Sequence, residues 1–161
     1  MYFWRSILLP MNKNEEAVSI FNNGFNCAQA VLSVFASEKG LDRNMALKVA
    51  TGLGAGLGHQ GKICGAVVGA YLSIGLHAGS SAPNDEFAKE ITYHMSRKFD
   101  REFLKNNPSL ICKELLKVDL STPEGYDIAK EKGLFETLCP NFVSDAVIIL
   151  EKMFEKTLPG R

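Results

Sequence analysis

Between Thr51 and Gly79 the chain reads TGLGAGLGHQGKICGAVVGAYLSIGLHAG, a stretch that holds nine of its fourteen glycines. Glycine takes up backbone angles closed to other residues and lets a second backbone come close, so this segment demands tight turns and short interhelical distances. Its second half, Cys64 to His77, reads as an apolar helix with Gly65, Ala66, Gly69 and Ala70 on neighbouring faces, and is expected to be the central, buried helix. The other long segments repeat apolar residues at helical spacing, and no turn signal separates β-branched runs. An all-α, single-domain helical bundle follows.

The remaining helices are read from their caps and stripes. A first runs over Glu15 to Asn22, with Val18 and Phe21 or Phe25 inward, and Asn23-Gly24 ends it. The second, Asn26 to Glu38, carries Ala30, Val31, Val34 and Phe35 at i, i+3, i+4 spacing and closes at Lys39-Gly40. Asp42 caps a third through Val49. Pro83 to Glu86 start a long amphipathic helix whose stripe is Phe87, Ile91, Met95, Phe99 and Phe103. Pro108-Ser109 open a short helix through Leu110, Ile111, Leu115 and Leu116, Ser121 to Glu124 start another over Tyr126 to Lys132, and Cys139-Pro140 precede a last one over Phe142 to Lys156.

With 161 residues, 46% of them hydrophobic, the chain can build one sizeable core. Eighteen basic residues offset eighteen acidic ones, which is not the basic footprint that a nucleic acid partner requires. Met1 to Pro10 (MYFWRSILLP) is apolar but falls short of the roughly twenty residues that cross a bilayer, and it lacks the layout of a secretory signal. The expectation is a cytoplasmic protein without membrane insertion, residues 1–11 being a tail or start-site extension and 12–158 a four-cysteine helical domain.

Those cysteines are Cys27, Cys64, Cys112 and Cys139, separated by 37, 48 and 27 positions. No C-x-x-C pair occurs, and the C-x-x-C-H of covalent haem is absent, so any shared site must be assembled by the fold. What the four have in common is local position, each at or near a predicted helix start. There the unpaired N–H groups and the positive end of the helix dipole stabilise a thiolate and draw the thiol pKa toward neutrality. Thiolate is both the metal ligand and the redox nucleophile, and four of them suit an iron-sulfur cluster or, second, a zinc ion. Buried cysteine also serves as a small apolar core residue, so four scattered ones fit a purely structural or partner-binding domain as well.

The motifs Gly24-Phe25-Asn26-Cys27-Ala28-Gln29-Ala30-Val31 and Gly61-Lys62-Ile63-Cys64-Gly65-Ala66-Val67-Val68-Gly69, with Ser109-Leu110-Ile111-Cys112 and Leu138-Cys139-Pro140, resemble those of the C_GCAxxG_C_C family, to which redox activity is ascribed. The likeness covers about residues 12 to 155. It departs from the family's short name in one respect: Cys-Gly-Ala stands at 64 to 66 where that name spells Gly-Cys-Ala. Related domains in split-Soret cytochromes carry an iron-sulfur cluster, so the resemblance implies a cluster ahead of dithiol chemistry, with a redox partner it does not name. Metal ligation or redox cycling falls to the four cysteines, and Gly61, Gly65, Gly69 and His59 are expected beside the cofactor. Thiol-disulfide cycling without metal stays open, as does the choice between an oxidoreductase and an electron carrier.

Other features give weaker readings. Gly52, Gly54, Gly56, Gly58 and Gly61 resemble a phosphate-cradling loop, but no strand precedes them and no G-x-x-x-x-G-K-[ST] occurs, so tight packing around Cys64 is the better account. His59 is a candidate ligand, proton carrier or base for a nucleophilic Cys64, with no identifiable third group to orient it. His77 sits where it complements a helix end, and His94 lies on a polar face. The small-residue helix and the Phe87 stripe leave room for a homodimer.

Overall fold

The structure is a computed structural model that describes residues 11–156. Met1 to Pro10, and the final two residues of the domain expected over 12–158, lie outside the described residues. Among the described residues nine α-helices follow one another: α1 (Lys13–Asn22), α2 (Cys27–Ala36), α3 (Arg43–Val49), α4 (Gly65–Ala78), α5 (Glu86–Phe103), α6 (Cys112–Leu116), α7 (Pro123–Glu131), α8 (Leu134–Thr137) and α9 (Cys139–Lys156). No strand occurs among the described residues, and Ile63 and Ile111 form an isolated antiparallel bridge. The protein is all-α, as its periodicity requires.

Several helix starts are written in side chains. Asn12 accepts from the Glu15 N–H at 2.8 Å while Glu15 reaches back to the Asn12 N–H, a reciprocal cap that starts α1 two residues earlier than expected. Asn26 and Gln29 do the same for α2, Asp42 caps α3, Asp85 caps α5, and Thr122 caps α7. Gly24 at φ 100° ends the turn after α1. The last helix begins at Cys139 itself, with Pro140 in its first turn, where a missing N–H costs nothing. Helix α8 was not foreseen; Gly133 at φ 61° breaks it from α7.

Helices α2 and α4 pack on each other more extensively than any other pair. Their crossing is set by Gly69, where a Cβ would lie 2.9 Å from both the Ala28 carbonyl oxygen and the Val31 Cβ. The centre is shared: α4 buries most of its residues, but α2 is buried at every one of its ten positions. Helices α1, α5 and α9 close around this pair, and α3 covers the back of α2 through Ala46 and Ala50. Phe35, Phe99 and Phe103 are almost fully buried, each contributing about 1.5–3 kcal/mol by leaving water. Two stripe positions differ from expectation. Phe87 is 79% exposed, because the core covers α5 only from Ile91 onward, and Phe25 is 39% exposed at the edge of a cavity described below.

Candidate cysteine site

The four cysteines, from four different helix starts, line one cavity of about 360 Å³. Cys27, Cys112 and Cys139 are the first residues of α2, α6 and α9, and Cys64 is the N-cap of α4. Three of them are buried and Cys139 is half-buried. The walls are aromatic and aliphatic, among them Phe21, Phe25, Tyr126, Phe135 and Phe142, and among the described residues no lysine or arginine lines the space.

Three local devices bring the first three cysteines together. The Asn26 side chain, besides capping α2, donates from Nδ2 to the Thr51 carbonyl at 2.8 Å, and Gln29 donates to the Leu47 carbonyl at 2.9 Å. These bonds clamp the start of α2 to the end of α3 and the loop that follows. That loop then turns left-handed: Ala55 (φ 53°), Gly56 (φ 69°), Leu57 (φ 65°) and Gly58 (φ 67°) lie consecutively in the αL region, closed by a Gly58 N–H to Gly54 carbonyl bond of 2.8 Å. An L-residue there costs roughly 1–2 kcal/mol, so Ala55 and Leu57 store strain at the site. The turn aims the Ala55 N–H at the Cys27 sulfur. Finally, the Ile63–Ile111 bridge ties Cys64 to Cys112: the Cys64 N–H donates to the Leu110 carbonyl at 2.8 Å, and the Cys112 N–H to the Lys62 carbonyl at 2.6 Å. This extended pairing is why α6 begins at Cys112 rather than Leu110.

Glycine makes the approach sterically feasible. A Cβ on Gly65 would lie 2.4 Å from the Cys27 sulfur, and one on Gly56 would lie 2.8 Å from the Cys112 Cβ. The glycines expected beside a cofactor therefore act through packing. Gly65 abuts the Cys27 sulfur, Gly69 faces α2 a turn further along, and Gly61 sits under Lys113; none of the three is in the cavity wall. His59 does line it, in a left-handed conformation (φ 64°) with its ring 5.0 Å from that of Tyr126 at the rim. His77 is buried elsewhere, 2.8 Å from the Lys39 ammonium and stacked on Phe154. His94 is exposed on α5.

The thiols are not equivalent, contrary to the expectation that helix starts lower all four. Cys27 is lowered from 9.0 to about 7 because the Cys64 thiol donates a hydrogen bond to it, with the Ala55, Cys27 and Ala28 N–H groups adding to that against the opposing effect of burial. Cys64, the donor, is held well above the ordinary thiol range by giving that bond, by burial and by the Cys27 charge. Burial and then Cys27 push Cys112 up to about 12. Cys139 is raised by desolvation first and then by Cys27, Cys112 and Glu136. Burial outweighs the helix ends, and one thiolate in an apolar cavity makes a second costlier. Among the described residues, no three His, Cys, Asp or Glu side chains are grouped tightly enough to hold a single metal ion.

Sequence reasoning missed Ala55, whose contribution is a backbone N–H with no side-chain signature, and the wall residues Tyr126 and Phe135, which look like ordinary helix-core positions. Fold and site together define a four-cysteine helical protein with one sulfur-lined cavity. The chain belongs to the C_GCAxxG_C_C family, described as "Putative redox-active protein", which it matches over residues 25–153. No curated protein and no solved structure gave a match to the chain. No single helix among the described residues is long and apolar enough to cross a membrane.

Proposed function

We propose that Cys27, Cys64, Cys112 and Cys139 ligate an iron-sulfur cluster that serves electron transfer. The observation that carries this reading is the meeting of four cysteines from four helix starts in one apolar cavity. The donor set fits the group: four sulfur ligands, N–H groups at α2 and α4 to stabilise thiolate, and a protected interior. A cluster distributes its four cysteine ligands over several irons, whereas a single zinc ion gathers its four donors in one tetrahedron. When bound, such a group supplies one-electron redox chemistry. The chain's own part is to hold the thiolates, exclude water with Phe25, Tyr126 and Phe135, and donate the Ala55 N–H to the Cys27 sulfur, a bond of the kind that tunes potential.

A second reading is favoured by one observation, the hydrogen bond between Cys64 and Cys27. In that reading Cys27 is the attacking thiolate and Cys64 the resolving thiol of a dithiol-disulfide couple. Anaerobic reconstitution with iron and sulfide separates the two. A broad visible absorption with stoichiometric iron and acid-labile sulfide supports the cluster. A colourless, iron-free protein whose Cys27–Cys64 disulfide forms and is reduced reversibly supports the couple and refutes the cluster.

A further inference from the structure

We propose that the cavity admits a small organic disulfide free of anionic groups, and that the Cys27–Cys64 pair of the metal-free protein reduces it by thiol-disulfide exchange. This names the substrate class of the dithiol reading and rests on that reading.

Burial decides the size of the partner. Cys27, Cys64 and Cys112 are buried, and all of them line a cavity of about 360 Å³, a volume of the order that holds a small molecule. A sulfur buried in such a space meets a small molecule rather than the disulfide of a folded protein.

The lining decides the charge. Phe25 and His59 are exposed where they line the cavity and Tyr126 and Phe135 are half-buried, so the approach to the sulfurs is aromatic. Among the described residues no lysine or arginine stands in the wall, and Glu136 adds a negative charge close to Cys139. An anionic disulfide would therefore leave water without a counter-ion and approach a thiolate at the same time. A neutral one meets neither obstacle.

The exchange needs nothing beyond the pair and its substrate. A Cβ on Gly65 would lie 2.4 Å from the Cys27 sulfur, so that sulfur is seated against the residue next to Cys64, and the Cys64 thiol donates to it. The Cys27 thiolate, also held by the Ala55 and Ala28 N–H groups, attacks one sulfur of the substrate. The substrate S–S bond breaks, half of the molecule leaves as a thiolate, and that thiolate takes the Cys64 proton. Cys64 then attacks the Cys27 sulfur, the mixed disulfide breaks, and the second half leaves as a thiolate that is protonated by water. One turnover oxidises the pair to a Cys27–Cys64 disulfide and reduces the substrate to two thiols.

The test uses the full chain, reduced and freed of metal by a chelator under anaerobic conditions. It is mixed with bis(2-hydroxyethyl) disulfide, which is neutral, or with dithiodiglycolate, a dianion of similar size. Each rate is divided by that of the same disulfide with free N-acetylcysteinamide, which removes its intrinsic reactivity. The expected result is a Cys27–Cys64 bond in peptide maps with the neutral disulfide, and a normalised rate at least about tenfold lower for the dianion. Cys64→Ala, once circular dichroism has confirmed its folding, should retain half of the neutral disulfide as a stable adduct on Cys27. An adduct on Cys112 or Cys139 instead overturns the assignment of the attacking sulfur. Should that variant not fold, the rate comparison on the unaltered protein decides. Equal normalised rates overturn the substrate class and leave the dithiol reading standing. So does a Cys27–Cys64 bond that forms with the thiol oxidant diamide and with neither disulfide. Absence of that bond with all three reagents overturns the dithiol reading and the proposal together.

Discussion

The contact between Gly65 and the Cys27 sulfur makes a quantitative prediction through two glycine substitutions in the same helix. In Gly65→Ala the new Cβ would stand 2.4 Å from that sulfur and 3.1 Å from both the Gly54 Cα and the Leu53 carbonyl oxygen. The sulfur belongs to the first residue of a helix buried along its whole length, so it can give way only into the cavity it lines, at the loss of its bonds from the Cys64 thiol and the Ala55 N–H. Overpacking of this kind costs typically ~1–3 kcal/mol, against which alanine returns at most ~1 kcal/mol of helix propensity. The net expectation is destabilisation by about 1–2 kcal/mol. In Gly75→Ala, ten residues further along α4, no atom of the described residues outside the adjoining helix backbone lies within 4 Å of the new Cβ, so propensity alone acts and stabilises by about 0.5–1 kcal/mol. For a chain of this size 1 kcal/mol moves the melting temperature by roughly 2–4 °C, so the two variants should melt on the order of 5 °C apart, on opposite sides of the unaltered protein. Urea unfolding followed by circular dichroism gives the same comparison, provided the denaturant slope stays constant. Displacement of the sulfur from the Cys64 thiol and the Ala55 N–H should also raise the Cys27 pKa from about 7 toward 9.0. If Gly65→Ala proves as stable as Gly75→Ala, with the Cys27 titration unmoved, the claim that this glycine exists to admit the sulfur is wrong.

Asn26→Ala removes the α2 cap and leaves the Thr51 carbonyl without its side-chain donor, an expected loss of about 1–2 kcal/mol in urea unfolding. A loss no larger than that of a surface substitution would show the clamp to be incidental. Ala55→Gly relieves a left-handed alanine at φ 53° and should stabilise the apo protein by up to about 1 kcal/mol, and a decrease in stability would contradict the strain assigned to the turn. Cys64→Ala takes away the donor to Cys27, so the thiolate absorbance expected to appear near pH 7 in the unaltered apo protein should move up in pH, and an unchanged midpoint would sink that account. Linkage gives the sign of the pH dependence: Cys27 titrates at about 7 when folded against 9.0 ordinarily, so its contribution is present in full above pH 9 and is lost as pH falls through 7. Cys112, raised to about 12, acts oppositely, its contribution being present below pH 9 and lost as pH rises. Apo stability attributable to thiols should therefore rise from pH 7 to 9, and Cys27→Ser should abolish that rise in equilibrium unfolding.

What the sequence by itself determined was what depends on near neighbours. Helical spacing gave the all-α class and most of the long helices, and Asn26, Asp42 and the Pro83–Glu86 run marked starts because a cap is satisfied within one turn. The common position of the four cysteines at helix starts was legible for the same reason, and the glycine run announced close contacts without naming the partners. Tertiary structure alone decided the rest. A left-handed turn through Ala55 and Leu57 runs against the local preference of those residues and persists through the Lys62 N–H bond to Gly56 just beyond the turn and through a contact with Cys27, which is remote in sequence. The Ile63–Ile111 bridge joins segments 48 positions apart, and which glycine meets which cysteine depends on how α2 crosses α4. The thiol acidities, too, follow from burial and from one another's charge, and both exist only once the helices have packed around the cavity.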